Sequence, residues 1–251
     1  HNGQLMMAQN YRCTKDLVDA CQAQGTRLIY ASSAAVYGGS AVFREAPEHE
    51  QPLNVYGYSK FLFDQSVRRL WSERTAQIAG FRYFNVYGPR EQHKGRMASV
   101  ALHFYEQYRR DGCVRLFQGS GGYPDGEQRR DFIHVDDVVA VNLDFWRHPG
   151  RSGVFNLGTG RAATFNDVAV ATINACRSAA GDPPRTLAEL HQDGVIGYVP
   201  MPDALVGKYQ SFTQADMTRL RASGYAAPML AVDQGVARYV ESLMSLSESA
   251  S

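Results

Sequence analysis

Short apolar runs that alternate with longer stretches of helical periodicity constrain this chain more than any other feature. Arg27–Ala31 has the apolar character of a strand buried in a parallel sheet, and Gln77–Val86, Val114–Phe117, Asp131–His134 and Val154–Leu157 read as further strands. Around them, Asn10–Gln24, Val55–Trp71, Met97–Arg110, Val138–Trp146, Phe212–Leu220 and Met229–Met244 read as helices. Gly25 stops the first helix, Asp136 or Asp137 caps the fourth, and Thr164-x-x-Asp167 opens a further one as a capping-box variant. The alternation predicts an α/β chain with a parallel sheet covered on both faces. Residues 38–54, with Pro47 and Pro52, read as a loop, and residues 177–194, with Gly181, Pro183, Pro184 and Gly194, as a mobile or inserted loop. Gly119–Gly126 is a glycine-rich turn, and Ser247–Ser251 a frayed tail.

Composition narrows the function classes. The 251 residues carry 26 Lys and Arg against 25 Asp and Glu, a balance that gives nucleic-acid binding no support. No apolar run reaches the roughly 18–20 residues that cross a bilayer. Cys13, Cys21, Cys113 and Cys176 show no C-x-x-C spacing, so the sequence predicts no metal site and reduced thiols in a cytoplasmic protein.

One constellation carries chemistry. Ser33 ends an apolar run, where ligands bind in open α/β sheets. Tyr56 and Lys60 are four residues apart on one predicted helix, so they share a face. Tyrosine ordinarily titrates near ~10, and a cation one turn away draws it toward the working range of a general base. Ser33 would hold a substrate oxygen beside the phenol. The set suits proton transfer from an alcohol while hydride leaves to a nicotinamide. Competing structural readings are a strand-end hydroxyl bonded to backbone for Ser33, a packed tyrosine for Tyr56 and a solvated lysine for Lys60.

A dinucleotide-binding chain should also open with a strand and a Gly-x-Gly-x-x-Gly turn. No such turn follows a strand near His1. The expectation is a chain that begins inside a Rossmann-type unit. On that expectation it would bind NADP weakly on its own and be inactive.

These residues resemble the extended short-chain dehydrogenase/reductases that act on nucleotide sugars, and among them the heptose 6-epimerase group. The resemblance runs through Leu28–Gly39 (LIYASSAAVYGG), Pro52–Asp64 (PLNVYGYSKFLFD) and Gly80–Glu91 (GFRYFNVYGPRE). It continues through His93–Gly95, Met97–Val100, Phe155–Arg161 and Tyr209–Asp216. It implies a doubly wound Rossmann-type unit at 1–85, 134–161 and 210–224, and a smaller α/β substrate lobe at 86–133, 162–209 and 225–251. The implied cofactor is NADP, with NAD as the alternative, and the implied substrate is ADP-heptose, turned over by a homo-oligomer. Transient oxidation at C6″ would invert that centre.

The resemblance also implies roles. Tyr56 and Lys94 are the two acid/bases, Ser33 bonds the reacting oxygen, and Lys60 holds the nicotinamide ribose and tunes Tyr56. Asn10, Val86 and Lys94 contact the cofactor, although Gln9 stands where the family carries an asparagine. Asn85, Arg96, His103, Phe117, Gln118, Gly119, Ser120, Arg130 and Tyr209 line the substrate pocket. Arg96 replaces a small polar residue of the pattern. Arg130 beside the glycine-rich turn suits a pyrophosphate, with a salt bridge as the competing reading, and a packed core histidine competes for His103. Dehydratases of this type carry Asp-Glu after the strand-end hydroxyl, where this chain has Ala34-Ala35, so dehydration is disfavoured. A nucleotide-sugar 4-epimerase or reductase, or a non-catalytic dinucleotide-binding protein of the same fold, are the alternatives.

Overall fold

A computed structural model describes residues 2–202 and 210–248. Tyr209 and the end of the tail lie outside them. The chain divides into two compact units. His1–Phe84, Val139–Gly160 and Gln214–Ala227 form the first, and Asn85–Val138, Arg161–Thr213 and Pro228–Ser251 the second.

The strands in chain order are β1 (Leu28–Ser33), β2 (Ile78–Tyr83), β3 (Asn85–Tyr87), β4 (Val114–Phe117), β5 (Arg129–His134), β6 (Gly153–Leu157), β7 (Ala162–Thr164) and β8 (Ile196–Val199). The helices are α1 (Gly3–Met7), α2 (Thr14–Ala23), α3 (Val55–Arg69), α4 (Val100–Asp111), α5 (Val135–Arg147), α6 (Phe165–Ala179), α7 (Leu187–Gln192), α8 (Thr218–Ala222) and α9 (Val232–Glu248). In the first unit β1, β2 and β6 form a parallel sheet in that order, with Leu28 opposite Ile78 and Ala79 opposite Gly153. Val18 of α2 and Phe63 and Val67 of α3 pack with Leu28, Tyr30, Ile78 and Val154 as one core. In the second unit β3 and β5 are parallel, β5 and β7 antiparallel, and β4 and β8 parallel. The apolar faces of α4, α6 and α9 supply most of its core, including Leu102, Phe104, Val168, Ile173, Val236 and Tyr239.

Several sequence expectations are corrected. The first helix does not begin at Asn10. Asn2 caps α1 by accepting the Leu5 N–H at 3.1 Å, and a π-helical stretch, Ala8–Cys13, joins α1 to α2. The predicted strand 77–86 breaks at Phe84, whose N–H reaches Leu157 O at 3.1 Å, so β3 pairs with β5 in a different sheet. Neither Asp136 nor Asp137 caps α5. The helix starts at Val135, three residues before Val138, and His134 Nδ1 accepts the Asp136 N–H at 3.2 Å, which leaves both aspartates inside the first turn. Residues 177–194 are not a loop throughout. They hold the end of α6 and the whole of α7, which is closed by a Thr186–Glu189 capping box. The helix expected over Phe212–Leu220 is confined to α8, because Thr213 N–H pairs with Arg129 O and draws that stretch out along β5. Thr164 and Asp167 do form the expected capping box. Among the described residues, no helix is long and apolar enough to cross a membrane.

A buried ionic network ties the first unit together. Arg82, fully buried on β2, reaches Asp64 of α3 through Nε at 2.9 Å and Nη2 at 2.8 Å, and Glu50 through Nη2 at 2.5 Å. Arg68 closes on Glu50 with both terminal nitrogens, Nη1 at 2.6 Å, and Gln65 adds a bond at 2.8 Å. The Arg82 guanidinium lies 5.0 Å from the centre of the Tyr37 ring. Burial alone raises the Glu50 carboxyl, but the hydrogen bonds and charges of Arg68 and Arg82 outweigh it and hold the group below its ordinary value.

Removing one member of such a network strands the opposite charge in a dry interior. Arg82→Met should cost about 3–5 kcal/mol in urea unfolding. A cost no larger than that of a surface substitution would show the network to be incidental. The depressed Glu50 carboxyl contributes stability above the ordinary carboxylate range and loses it as pH falls through the lowered value. Stability should therefore decline below about pH 4.5, with a shallower decline in Arg68→Met. Equal slopes in the two proteins would remove Glu50 as the cause.

Candidate active site

Ser33, Tyr56 and Lys60, the residues of the first unit predicted to handle protons, lie at the carboxyl end of β1. Ser33 is the last residue of that strand, and its Oγ accepts the Ala35 N–H at 3.1 Å, capping the single 3-10 turn Ala34–Val36. Asn54 caps α3 by accepting the Gly57 N–H at 2.9 Å. This fixes Tyr56 in the first helical turn and Lys60 one turn on. The first turn of α3 sits directly against the strand-end segment, since a Cβ built on Gly57 would lie 2.5 Å from Ala35 O. Only glycine allows that approach.

Tyr56 is 41% exposed, accessible to a ligand in a way a core tyrosine is not. Lys60 Nζ lies 6.0 Å from the Tyr56 ring centre and donates to Ala31 O on β1 at 2.9 Å. Burial lowers the Lys60 ammonium and the Asp64 carboxylate opposes that shift. Asn10 lies in the π-helical stretch. Its Nδ2 donates to Ser59 Oγ at 3.2 Å, and Ser59 donates to Tyr56 O at 2.7 Å, so the amide is tied to the helix that carries Tyr56. A π-helical turn displaces side chains by one position, which is why such turns recur at functional sites.

The second unit holds the remaining predicted residues. Asn85 and Val86 open β3, opposite Phe132 and Ile133. Lys94 and Arg96 flank Gly95, a left-handed residue with φ +53° inside the short helical stretch Gln92–Met97. Lys94 Nζ is 3.7 Å from the buried Glu91 carboxylate. Glu91 in turn accepts the Ser99 N–H at 2.9 Å and the Ser99 hydroxyl at 2.5 Å, which anchors the Lys94 stretch to the start of α4.

A cavity of about 360 Å³ opens beside this anchor. It gathers Arg96, His103 and Phe117 of the predicted set with Val100, Phe104, Gln107, Arg115, Leu116, Gln128 and Phe165. Its size is that of a small-ligand site, and its lining combines apolar walls with two guanidinium-bearing chains and no carboxylate. Gln118 and Ser120 are not in the wall but bond to its Gln128, through Gln118 O at 2.9 Å and Ser120 Oγ at 3.1 Å. Gly119 N–H is taken by Asp125 Oδ1 at 2.7 Å, as in a turn. Arg130 is buried on β5 with its guanidinium 5.7 Å from the centre of the Phe165 ring, outside the cavity lining. A larger, more open groove of about 790 Å³ along α6 and α9 contains none of the predicted residues, and its Glu127, Asp167 and Asp233 suit an anion poorly.

Arg115 and Gln107 escaped the sequence reading. Arg115 looks outward on a short strand and Gln107 is one polar position on an amphipathic helix. The signal that finds them is spacing, since Gln107 lies four residues after His103 and Arg115 two before Phe117.

Residues 2–158 match the model of the NAD dependent epimerase/dehydratase family. The chain belongs to that family. It is 63% identical over 243 residues to the ADP-L-glycero-D-manno-heptose-6-epimerase of Thiobacillus denitrificans, covering 97% of this chain and 73% of that protein. Among solved structures, it resembles the ADP-L-glycero-D-manno-heptose-6-epimerase of Helicobacter pylori, with a TM-score of 0.77 and 29% identity over 97% of this chain and 68% of the other. It also resembles a Thermotoga maritima UDP-glucose 4-epimerase solved with UDP-glucose, with a TM-score of 0.74 and 26% identity over 98% of this chain and 72% of the other. The Ser33–Tyr56–Lys60 arrangement thus sits in a family that uses a nicotinamide cofactor on nucleotide sugars.

Gly57→Ala tests the packing that brings this site together. The added methyl meets a backbone carbonyl, so it should cost about 1–3 kcal/mol in urea unfolding. Loss of turnover should accompany it. A neutral substitution would mean that the Tyr56 turn can retreat from Ala35 without consequence.

Proposed function

We propose that this chain carries the proton-handling residues of an enzyme that inverts C6″ of ADP-D-glycero-D-manno-heptose to give the L-glycero epimer, using NADP. The observation that carries the reading is the 63% identity over nearly the whole chain to a heptose 6-epimerase, together with an intact Ser33, Tyr56 and Lys60 at one strand end. Such an enzyme supplies a heptose precursor for the lipopolysaccharide inner core. The four free cysteines fit a cytoplasmic setting.

The donor set at the end of β1 fits a nicotinamide ribose. A lysine ammonium has three N–H donors, and Ala31 O takes one, leaving others for ribose hydroxyls. Asn10 and Val86 are the further residues proposed to hold the cofactor. When bound, the nicotinamide supplies a reversible acceptor for the C6″ hydride. The chain's own work is proton handling. Tyr56, beside the Lys60 cation, exchanges a proton with the C6″ oxygen on one face, and Ser33 holds that oxygen. Lys94, tethered by Glu91, exchanges the proton on the opposite face once the transient ketone has turned. A stereocentre outside the sugar ring can be reprotonated at oxygen from either side, which is the use of two such groups.

The substrate's ADP portion is proposed to occupy the cavity walled by Arg96, His103, Arg115 and Phe117. Guanidinium groups match phosphate oxygens and the aromatic walls accept a base. Asn85, Gln118, Gly119, Ser120, Arg130 and Tyr209 complete the proposed binding set. Arg130 would act from beneath the wall.

The test is ADP-D-glycero-D-manno-heptose incubated with enzyme and NADP in deuterated water. The product should be the L-glycero epimer with protium retained at C6″, because the same hydride returns. Deuterium at C6″, or turnover of UDP-glucose in its place, would refute the reading. Tyr56→Phe and Lys94→Met should each lower kcat on the order of 10²–10⁴-fold with ADP-heptose binding retained. A near-normal rate in either variant removes that residue as an acid/base.

A further inference from the structure

Asp64 is fully buried on α3, in the same stripe as Tyr56 and Lys60, each four positions after the one before. Its carboxylate faces the strand that ends in Ser33. Tyr30 OH donates to Oδ1 at 2.9 Å, and Ser32 Oγ–H donates to Oδ2 at 3.0 Å. Tyr30 and Ser32 are alternate residues of β1, so both side chains leave the same face of the strand. Between them, Ala31 O receives Lys60 Nζ at 2.9 Å. Three consecutive residues of β1 therefore grip two consecutive turns of α3, immediately before the strand reaches Ser33.

We propose that Asp64 is a positioning residue for the reaction, setting α3 in register with the end of β1 so that Tyr56 and Lys60 meet the oxygen held at Ser33. The proposal rests on the roles given above to Tyr56, Lys60 and Ser33. Any buried carboxylate needs its lone pairs satisfied, so what distinguishes this one is where its partners come from. This one also takes hydroxyls from both sides of the carbonyl that holds Lys60, in a place where a small displacement of a reacting group is costly. Its charge acts on Lys60. Burial pushes the Lys60 ammonium toward neutrality and Asp64 counters it. The charged and titratable groups facing Asp64 are Tyr30 from β1 and Arg82 from β2, with Glu50 and Arg68 joined through Arg82. Lys60 faces it along α3.

Two kinds of variant separate position from charge. Tyr30→Phe combined with Ser32→Ala keeps the carboxylate but removes both hydroxyl bonds. kcat for ADP-heptose should fall on the order of 10²-fold, with KM and the midpoint of the kcat–pH profile unchanged. Asp64→Asn removes a negative charge that opposes the lowering of the Lys60 ammonium, which makes that proton easier to lose. The midpoint of the kcat–pH profile should move to lower pH as kcat falls. If Asp64→Asn does not fold, the double variant decides alone. Full kcat in the double variant, or a folded Asp64→Asn enzyme with wild-type kcat and pH profile, overturns the proposal. Tyr56→Phe measured alongside separates the two readings. If it is inactive while the Asp64 variants are normal, only the positioning role fails. If it turns over normally, both fail.

Discussion

A fully buried guanidinium is the constraint on which the first unit depends. Arg82 cannot lose its proton, so the fold must supply anions where β2 passes beneath the sheet's helical cover. Glu50 comes from the long connection after β1, and Asp64 from the middle of α3. Satisfying one cation therefore fixes a loop, a helix and a strand at the same moment. A hydrophobic replacement could fill the same space, but it would not dictate which helix turn meets which strand residue. In this chain the charge network is a specification of register, and the residues proposed to move protons are laid out along the register it specifies.

The parts of the fold that local chemistry decides were legible in the sequence. β1 reads from a continuous apolar run, α3 from its apolar stripe, and α6 from Thr164 and Asp167. What escaped was decided by partners distant in sequence. The run Gln77–Val86 reads as one strand, and nothing local marks Phe84 as the point where the backbone leaves one sheet for another. Residues 177–194 carry enough proline and glycine to read as loop, yet Thr186 and Glu189 hold a short helix there by a capping box that composition hides. His134 was passed over because a histidine before a helix carries no strong capping signal, although its imidazole takes the second helical N–H.

The site shows the same division. Tyr56, Lys60 and Ser33 were legible because their chemistry depends on spacing along one helix and on a strand end. On the other unit, Arg96, His103 and Phe117 came only through resemblance, being separated by stretches with no shared periodicity. The structure gathers those three in one wall. Arg130 reads in sequence as an exposed cation beside a glycine-rich turn. The strand pairing of β5 buries it against Phe165 instead.

Each unit is assembled from three separate stretches, and the backbone passes between them five times. A ribosome delivers those stretches in order, so the first unit cannot finish its sheet until β6 has emerged. Its last piece, Gln214–Ala227, arrives after most of the second unit. Neither unit can mature first and wait for the other. Nascent chains must keep the apolar face of β1 and β2 provisional over most of translation, which lengthens the period in which a chaperone is useful. The same interleaving bars exchange of one unit by a single crossover, so the two halves of such an enzyme are expected to diverge as one.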